Sequence, residues 1–210
     1  NKVFTINFRT PQENSTGIPH IIEHSVLDGS KNFPIKSPFG EMGKRSLSTF
    51  LNALTHSDRT AYPVSSRNEK DFKNLMNVYL DAVFYPNFLH DERIFMQEGW
   101  SYSLNSVNDE ITYNGVVYNE MQGSYSNPSK VLYNQIMKSL YPDTIYSNDS
   151  SGDPSEIPNL AYEEYVNFHK TYYHPSNSFM YLYGNLNLLD TLKFIDEEYL
   201  NQFNKKEIDR

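Results

Sequence analysis

Cysteine is absent from these 210 residues. Disulfides, thiolate metal sites and cysteine nucleophiles are therefore excluded, so any metal must be held by His, Asp or Glu. No apolar run approaches the roughly 20 residues that a membrane-spanning helix needs. Positive charge is in deficit: 18 Lys and Arg stand against 26 Asp and Glu, a net charge of −8. That balance argues against nucleic acid and against a membrane as partners. No signal or transit segment is visible. The chain opens directly in the strand-like run Lys2-Val3-Phe4-Thr5-Ile6-Asn7-Phe8, which reads as a fragment or a processed domain and leaves the compartment open. What the sequence does have is aromatic bulk. Its 17 Tyr and 13 Phe, within a hydrophobic content of 38%, are enough to build one sizeable core.

The stretch from Thr16 to Gly29 carries His20-Ile21-Ile22-Glu23-His24. In a helix His20 and His24 stand at i and i+4 on one face, one turn apart, where two imidazoles can share a metal ion. Glu23 then projects beside that ion, where a bound water would sit. This is the reversed form of the H-E-x-x-H zinc helix. Local signals favour a helix over roughly 18–28: Ser15 or Thr16 as cap, Pro19 in the first turn, Gly29 beyond the end.

Along the rest of the chain, residues 2–9 read as a strand and 30–46 as an irregular loop with Pro34 and Pro38. Residues 48–65 read as paired strands turning at Ser57-Asp58-Arg59. Such a hairpin could offer an edge to which a peptide adds as a further strand. Asn68 or Ser66 caps a helix whose Phe72, Leu75, Met76, Tyr79, Leu80 and Val83 form a core stripe ending at Pro86. Asp91 caps another helix through Trp100. A polar loop over 105–110, a helix around 115–121, and an amphipathic helix at 129–140 follow. After the long loop 141–158 come a helix at 162–173, a strand at 178–184, a helix at 188–200 and a polar, frayed tail. This order predicts an α+β domain: a mostly antiparallel sheet with helices packed on one face.

A catalytic zinc takes three protein ligands and one water. His56, His90, His169 and His174 read as surface or structural residues. The carboxylates available on helices are Glu98 and Glu120, lying 74 (98 − 24) and 96 (120 − 24) positions after His24. Spacing alone leaves both open.

A set of longer blocks carries a resemblance. They are Gly17 to Leu27, Thr49-Phe50-Leu51-Asn52-Ala53-Leu54-Thr55, Asp58 to Val64, Val78 to Pro86, Gln97-Glu98-Gly99-Trp100, Gly115 to Met121, Gly152-Asp153-Pro154, and Tyr173-His174-Pro175-Ser176-Asn177. Together they resemble the pitrilysin/insulinase-type zinc metallopeptidases, most of all their presequence protease and falcilysin branch. The resemblance implies a LuxS/MPP-like metallohydrolase domain. The lack of cysteine sets the chain apart from the small LuxS-type hydrolases that use a Cys ligand. It further implies Zn²⁺ held by His20, His24 and Glu120, with Glu23 as general base, and leaves Glu98 as either a structural residue or one that orients a ligand His through its other ring nitrogen. Asn52 and Ala53 would line the substrate groove. The implied activity is cleavage of short unfolded peptides such as targeting presequences. The implied location is organellar: mitochondrion, plastid or digestive vacuole. Family members close several domains around a chamber. The 210 residues are thus expected to be one N-terminal catalytic domain of a longer chain, partnered by the remaining domains and weak or inactive alone. The alternative is a non-catalytic relative that binds peptide or props a subunit.

Overall fold

In the computed structural model, which describes residues 1–104 and 106–208, alternation writes the sheet. Strand β1 (Lys2–Arg9) turns Phe4, Ile6 and Phe8 to one face, where all three are fully buried, as the period of two requires. Antiparallel partners flank it on both sides: β4 (Arg59–Ser66) and β7 (Ser178–Gly184). Strand β2 (Ser48–Leu51) and the short β3 (Leu54–Thr55) both pair with β4, giving the order β2-β4-β1-β7 with β3 beside β4. The domain is α+β, with its main sheet antiparallel throughout.

Helices cover the face that Phe4, Ile6 and Phe8 define. Helix α1 (Ile18–Val26) is the nine-residue segment carrying the two histidines. Helix α3 (Glu69–Phe84) lies across the sheet with Phe72, Leu75, Met76, Tyr79, Leu80 and Val83 buried, and Asn68 caps it through a side-chain bond to the Asp71 amide. Helices α4 (Glu92–Glu98), capped by Asp91, and α7 (Tyr162–Tyr172) complete the layer with α8 (Leu188–Glu198). The aromatic residues fill the seam: Phe8 stacks on Tyr173 at 4.6 Å, and the Tyr62 and Tyr173 hydroxyls share a 2.8 Å hydrogen bond inside the core.

Three regions depart from the expectations drawn from the sequence. The loop 30–46 contains a helix, α2 (Pro38–Arg45), whose N-cap Ser37 accepts from the Gly40 amide. Pro38 starts that helix instead of breaking one, because the first turn has no use for its missing N–H. Around the polar loop 105–110, of which Asn105 lies outside the described residues, stand two short strands, β5 (Ser101–Ser103) and β6 (Thr112–Asn114), paired as a hairpin. The chain after Asn201 is not simply frayed: Phe203 packs on Phe84 and Tyr85 at 5.2 and 5.9 Å. Among the described residues no helix is long and apolar enough to cross a membrane.

Candidate metal centre

Helix α1 is anchored from below and from its N-terminal end. Ile18, Ile21, Ile22 and Val26 are buried, so the helix cannot rotate without exposing them. Neither expected cap is used as one. Thr16 donates its hydroxyl to Asn14 (2.6 Å), Ser15 accepts from the Asp149 amide (3.0 Å), and the Ser15 amide donates to Glu156 (3.1 Å). The N-cap is Gly17, in the left-handed region at φ 74°. The bonds of Ser15 tie the segment 149–156 to the approach of α1. That segment comes so close that a Cβ on Gly17 would stand 2.9 Å from Gly152 Cα.

The close approach delivers a carbonyl to the histidine. His20 Nδ1 lies 2.8 Å from the Ser151 carbonyl oxygen. A carbonyl can only accept, so Nδ1 is the donor, and in the neutral ring Nε2 is the atom left with a lone pair. His24 is held from the other side, its Nδ1 3.4 Å from Glu98 Oε2. The two rings stand 4.9 Å apart and nearly perpendicular. Glu120 comes from α5 (Val116–Tyr125), and its Oε2 lies 3.7 Å from His20 Nε2 and 3.8 Å from His24 Nε2. Among the described residues, His20, His24 and Glu120 form the cluster of three side chains whose ligand atoms all fall within 4.8 Å of one another.

These distances fit a metal. Ligand atoms at 2.0–2.2 Å around a tetrahedral zinc stand about 3.3–3.6 Å apart, close to the 3.7 and 3.8 Å from Glu120 to the two imidazoles. The carbonyl and the carboxylate behind the two imidazoles are the partners that fix ring orientation and tautomer in His-ligated metal sites. Burial works against a charge on His24, but the hydrogen bond to Glu98 and the charges of Glu23, Glu98 and Glu120 outweigh it and raise its pKa. Burial would likewise raise Glu98, yet its bonds from His24 and Gln97 hold it below the usual carboxylate value. Three carboxylates, Glu23, Glu98 and Glu120, thus surround His24, a donor set that suits a divalent cation.

The hairpin explains how Glu98 and Glu120 meet in one site while 22 positions apart (120 − 98). Strands β5 and β6 carry the chain out and back, with Ser101 facing Asn114. The Tyr118 amide then reaches the Gly99 carbonyl at 3.4 Å. Helix α5 therefore starts where α4 ended.

Glu23, Asn52 and Ala53 line one cavity of about 300 Å³ together with His24 and Glu98. Tyr79 holds the Asn52 carbonyl at 3.0 Å, and the Asn52 amide bonds the Pro63 carbonyl at 3.3 Å. The remaining histidines stand away from this group. His169 is buried, its Nε2 2.9 Å from the Val83 carbonyl, His174 accepts from the Ser176 amide, and His56 and His90 are exposed. The Ser151 carbonyl has no counterpart in the sequence reading, because backbone atoms carry no sequence signal; Gly152-Asp153-Pro154 marks its place without its role.

A paired-histidine helix completed by a carboxylate, on an antiparallel α+β scaffold, defines a metallohydrolase-like domain. The family model described as "Insulinase (Peptidase family M16)" matches residues 9–150, and "Peptidase M16 inactive domain" matches 159–210. The chain belongs to peptidase family M16. It is 63% identical over 209 residues to "Protein HypA" of Clostridium perfringens, covering 100% of this chain and 22% of that protein. It is 53% identical to "Presequence protease 1, chloroplastic/mitochondrial" of Arabidopsis thaliana, covering 97% of this chain and 19% of that one. Pitrilysin has the same fold, with a TM-score of 0.71 at 19% identity over 99% of this chain and 21% of that structure. The chain spans about a fifth of the length of these relatives. The candidate residues from His20 to Glu120 all lie inside the first family match.

Proposed function

We propose that this domain is the catalytic unit of a zinc endopeptidase that hydrolyses short unfolded peptides. The observation that carries the reading is the convergence of His20 Nε2, His24 Nε2 and Glu120 Oε2 beside Glu23, with both imidazoles braced from behind. His20, His24 and Glu120 would hold Zn²⁺, which supplies acidification of a water and polarisation of the scissile carbonyl. Glu23 takes the proton from the attacking water and passes it to the leaving amine. Glu98 keeps the His24 ring in place. Asn52 and Ala53, at the end of β2, flank the groove in which an extended peptide would run as an added strand. Pairing through main-chain atoms gives loose sequence preference, which suits presequences or similar oligopeptides.

Support for larger surroundings comes from the exposure of Glu120, whose side chain is 55% accessible. A site in which one ligand faces open solvent does not exclude water, and peptide hydrolysis gains from enclosure. We therefore assign residues 1–210 to one N-terminal catalytic domain of a longer protease whose other domains complete the enclosure, and expect weak turnover from the domain alone. An organellar setting accords with the mitochondrial and chloroplastic names of several relatives.

The deciding measurement is zinc per chain, in the wild type and in the Glu120→Ala and Glu98→Ala variants. One zinc in the wild type, lost with Glu120 and retained without Glu98, is the expected outcome. Loss with Glu98 instead would move the third ligand to α4. A folded wild type that takes up no zinc would favour a non-catalytic, peptide-binding role.

A further inference from the structure

Next to the Ser151 carbonyl stands a second polar cluster, centred on Asp149, whose side chain is 8% accessible. Its Oδ2 gathers three donors from α5 and α6 (Pro128–Leu140): the Tyr125 hydroxyl at 2.9 Å, Asn134 Nδ2 at 2.9 Å and Lys130 Nζ at 2.8 Å. Burial, and then the Asp149 charge, raise the Tyr125 pKa, so that hydroxyl keeps the proton it donates. Oδ1 accepts from the Ser151 amide at 3.0 Å. An aspartate bonded to the amide two residues on closes a tight turn of its own. Main-chain atoms pin the same turn: the Asp149 amide donates to Ser15 Oγ at 3.0 Å, and the Asp149 carbonyl accepts from the Gly152 amide at 3.1 Å. A buried carboxylate is costly unless it is paired and hydrogen-bonded. An asparagine would close such a turn with no charge to bury. What the charge adds is the hold of Lys130 on Oδ2, which fixes the direction of the whole carboxylate.

From this geometry we infer that Asp149 is a positioning residue of the metal centre: it aims the Ser151 carbonyl at His20. With Oδ2 occupied by the donors of α5 and α6, Oδ1 is left facing the Ser151 amide. The following peptide plane is set by the Gly152 amide, which is turned to the Asp149 carbonyl. In a trans peptide the C=O points away from the N–H that follows it. The Ser151 oxygen therefore points the other way, where it stands 2.8 Å from His20 Nδ1. His20 in turn presents Nε2 to Glu120 and to the metal position. Loss of the Asp149 carboxylate would free the turn and release the ring without altering any ligand atom. Groups that orient a ligand histidine in this indirect way typically change metal affinity about 10- to 100-fold when removed. The inference rests on the metal-centre part of the proposed function and carries the support of His20 one residue beyond Ser151.

The test is run on the full chain, with zinc as the probe and chelator competition as the readout of affinity. Asp149→Asn keeps the size of the side chain and removes its charge. A charged donor outranks a neutral one, so the amide turns its oxygen to Lys130 and its nitrogen to Ser151, and the turn loses its bond. Zinc affinity should fall about tenfold or more. Adding Lys130→Met to Asp149→Asn takes away the competing donor and lets the oxygen return to the Ser151 amide. Affinity should then recover to within about threefold of the wild type, whereas two substitutions in a residue pair that merely holds the fold would not cancel. Asp149→Glu supplies a second single variant: it keeps the ion pair with Lys130, but its longer arm cannot close the turn, and it too should weaken zinc about tenfold. Wild-type affinity in folded Asp149→Asn or Asp149→Glu, or no recovery in the double variant, would overturn the assignment. The melting temperature of the metal-free protein separates the two roles, since a purely structural Asp149 would lower it and leave the affinity of the folded protein unchanged. Zinc lost with Glu120→Ala but unaffected at Asp149 would leave the metal site standing and remove this inference. Asp149-dependent zinc in a protein that cleaves no peptide would remove the peptidase reading and keep Asp149 in its place. A folded wild type that takes up no zinc would remove both.

Discussion

Helix α1 and helix α5 bring side chains to the same centre from very different ground. Seven of the nine residues of α1 are buried: Ile18, Pro19, His20, Ile21, Ile22, Ser25 and Val26. Of the ten residues of α5, only Val117, Tyr118 and Met121 are, and α6 (Pro128–Leu140), which follows it, buries none. The His20 side chain is 10% accessible and Glu120 is 55% accessible. The two histidines are thus pre-set by packing, by the Ser151 carbonyl and by Glu98, whereas the carboxylate arrives on a lightly packed helix. Regions with few buried contacts open at low free-energy cost. Metal affinity should accordingly depend on geometry around α1 and on chemistry alone at α5.

The largest test of this asymmetry is chemical. On the proposed peptidase reading, Glu23→Gln should lower kcat by about 10²–10⁴-fold, the usual contribution of a general base, with zinc content unchanged. Persistent turnover in a pure Glu23→Gln sample would remove Glu23 from the mechanism.

A second test addresses the ground under α1. His169 on α7 is fully buried, and desolvation pushes its pKa from 6.5 down to about 4, against the raising effect of its bond to Val83. A folded pKa below the unfolded one means that the unfolded chain binds the extra proton. Stability is then fully present above pH 6.5 and falls as the pH drops towards 4. The gap corresponds to on the order of 3 kcal/mol. His169→Gln, which can still donate to the Val83 carbonyl, should flatten the loss of melting temperature across that window. An unchanged pH slope in the variant would show that other groups carry the acid sensitivity.

Two glycines sharpen the contrast further. Gly152 has φ +105°, and an added Cβ would stand 2.9 Å from Ile157 Cδ1. Gly152→Ala should cost about 1–3 kcal/mol and, by displacing the Ser151 carbonyl from His20, weaken zinc binding roughly 10- to 100-fold. Zinc affinity left intact by a folded Gly152→Ala protein would count against the carbonyl brace. Gly123, inside α5, has nothing within 4 Å of an added Cβ. Gly123→Ala should therefore stabilise by about 0.5–1 kcal/mol through helix propensity, with no change in zinc. Calorimetry on the pair reads both effects, and a destabilised Gly123→Ala would mean α5 is more tightly packed than its exposure indicates.

Much of the scaffold is legible in the amino-acid sequence. The alternation of Phe4, Ile6 and Phe8 marks β1, the stripe from Phe72 to Val83 marks α3, and the caps Asn68 and Asp91 fall where expected. The departures have physical reasons. Ser15 and Thr16 have good capping chemistry, but distant partners, Asp149 and Glu156, occupy the first of them, and Asn14 occupies the second. Ser37-Pro38 reads equally well as a loop or as a cap and first turn. Strands of three residues, such as β5 and β6, are too short to establish a period.

Residue spacing sets the local arithmetic: His20 and His24 on one helical face with Glu23 beside them, since 3.6 residues per turn allows nothing else. The family membership likewise follows from the sequence matches over 9–150 and 159–210. Tertiary structure alone decided which groups stand behind and across from that face. Glu120 reaches both Nε2 atoms and Glu98 one Nδ1, because a hairpin returns α5 to the end of α4. Ser151 reaches His20, 131 positions away, because Gly17 and Gly152 let their backbones touch. Such meetings depend on chain crossings between segments far apart in sequence, where no periodicity can report them.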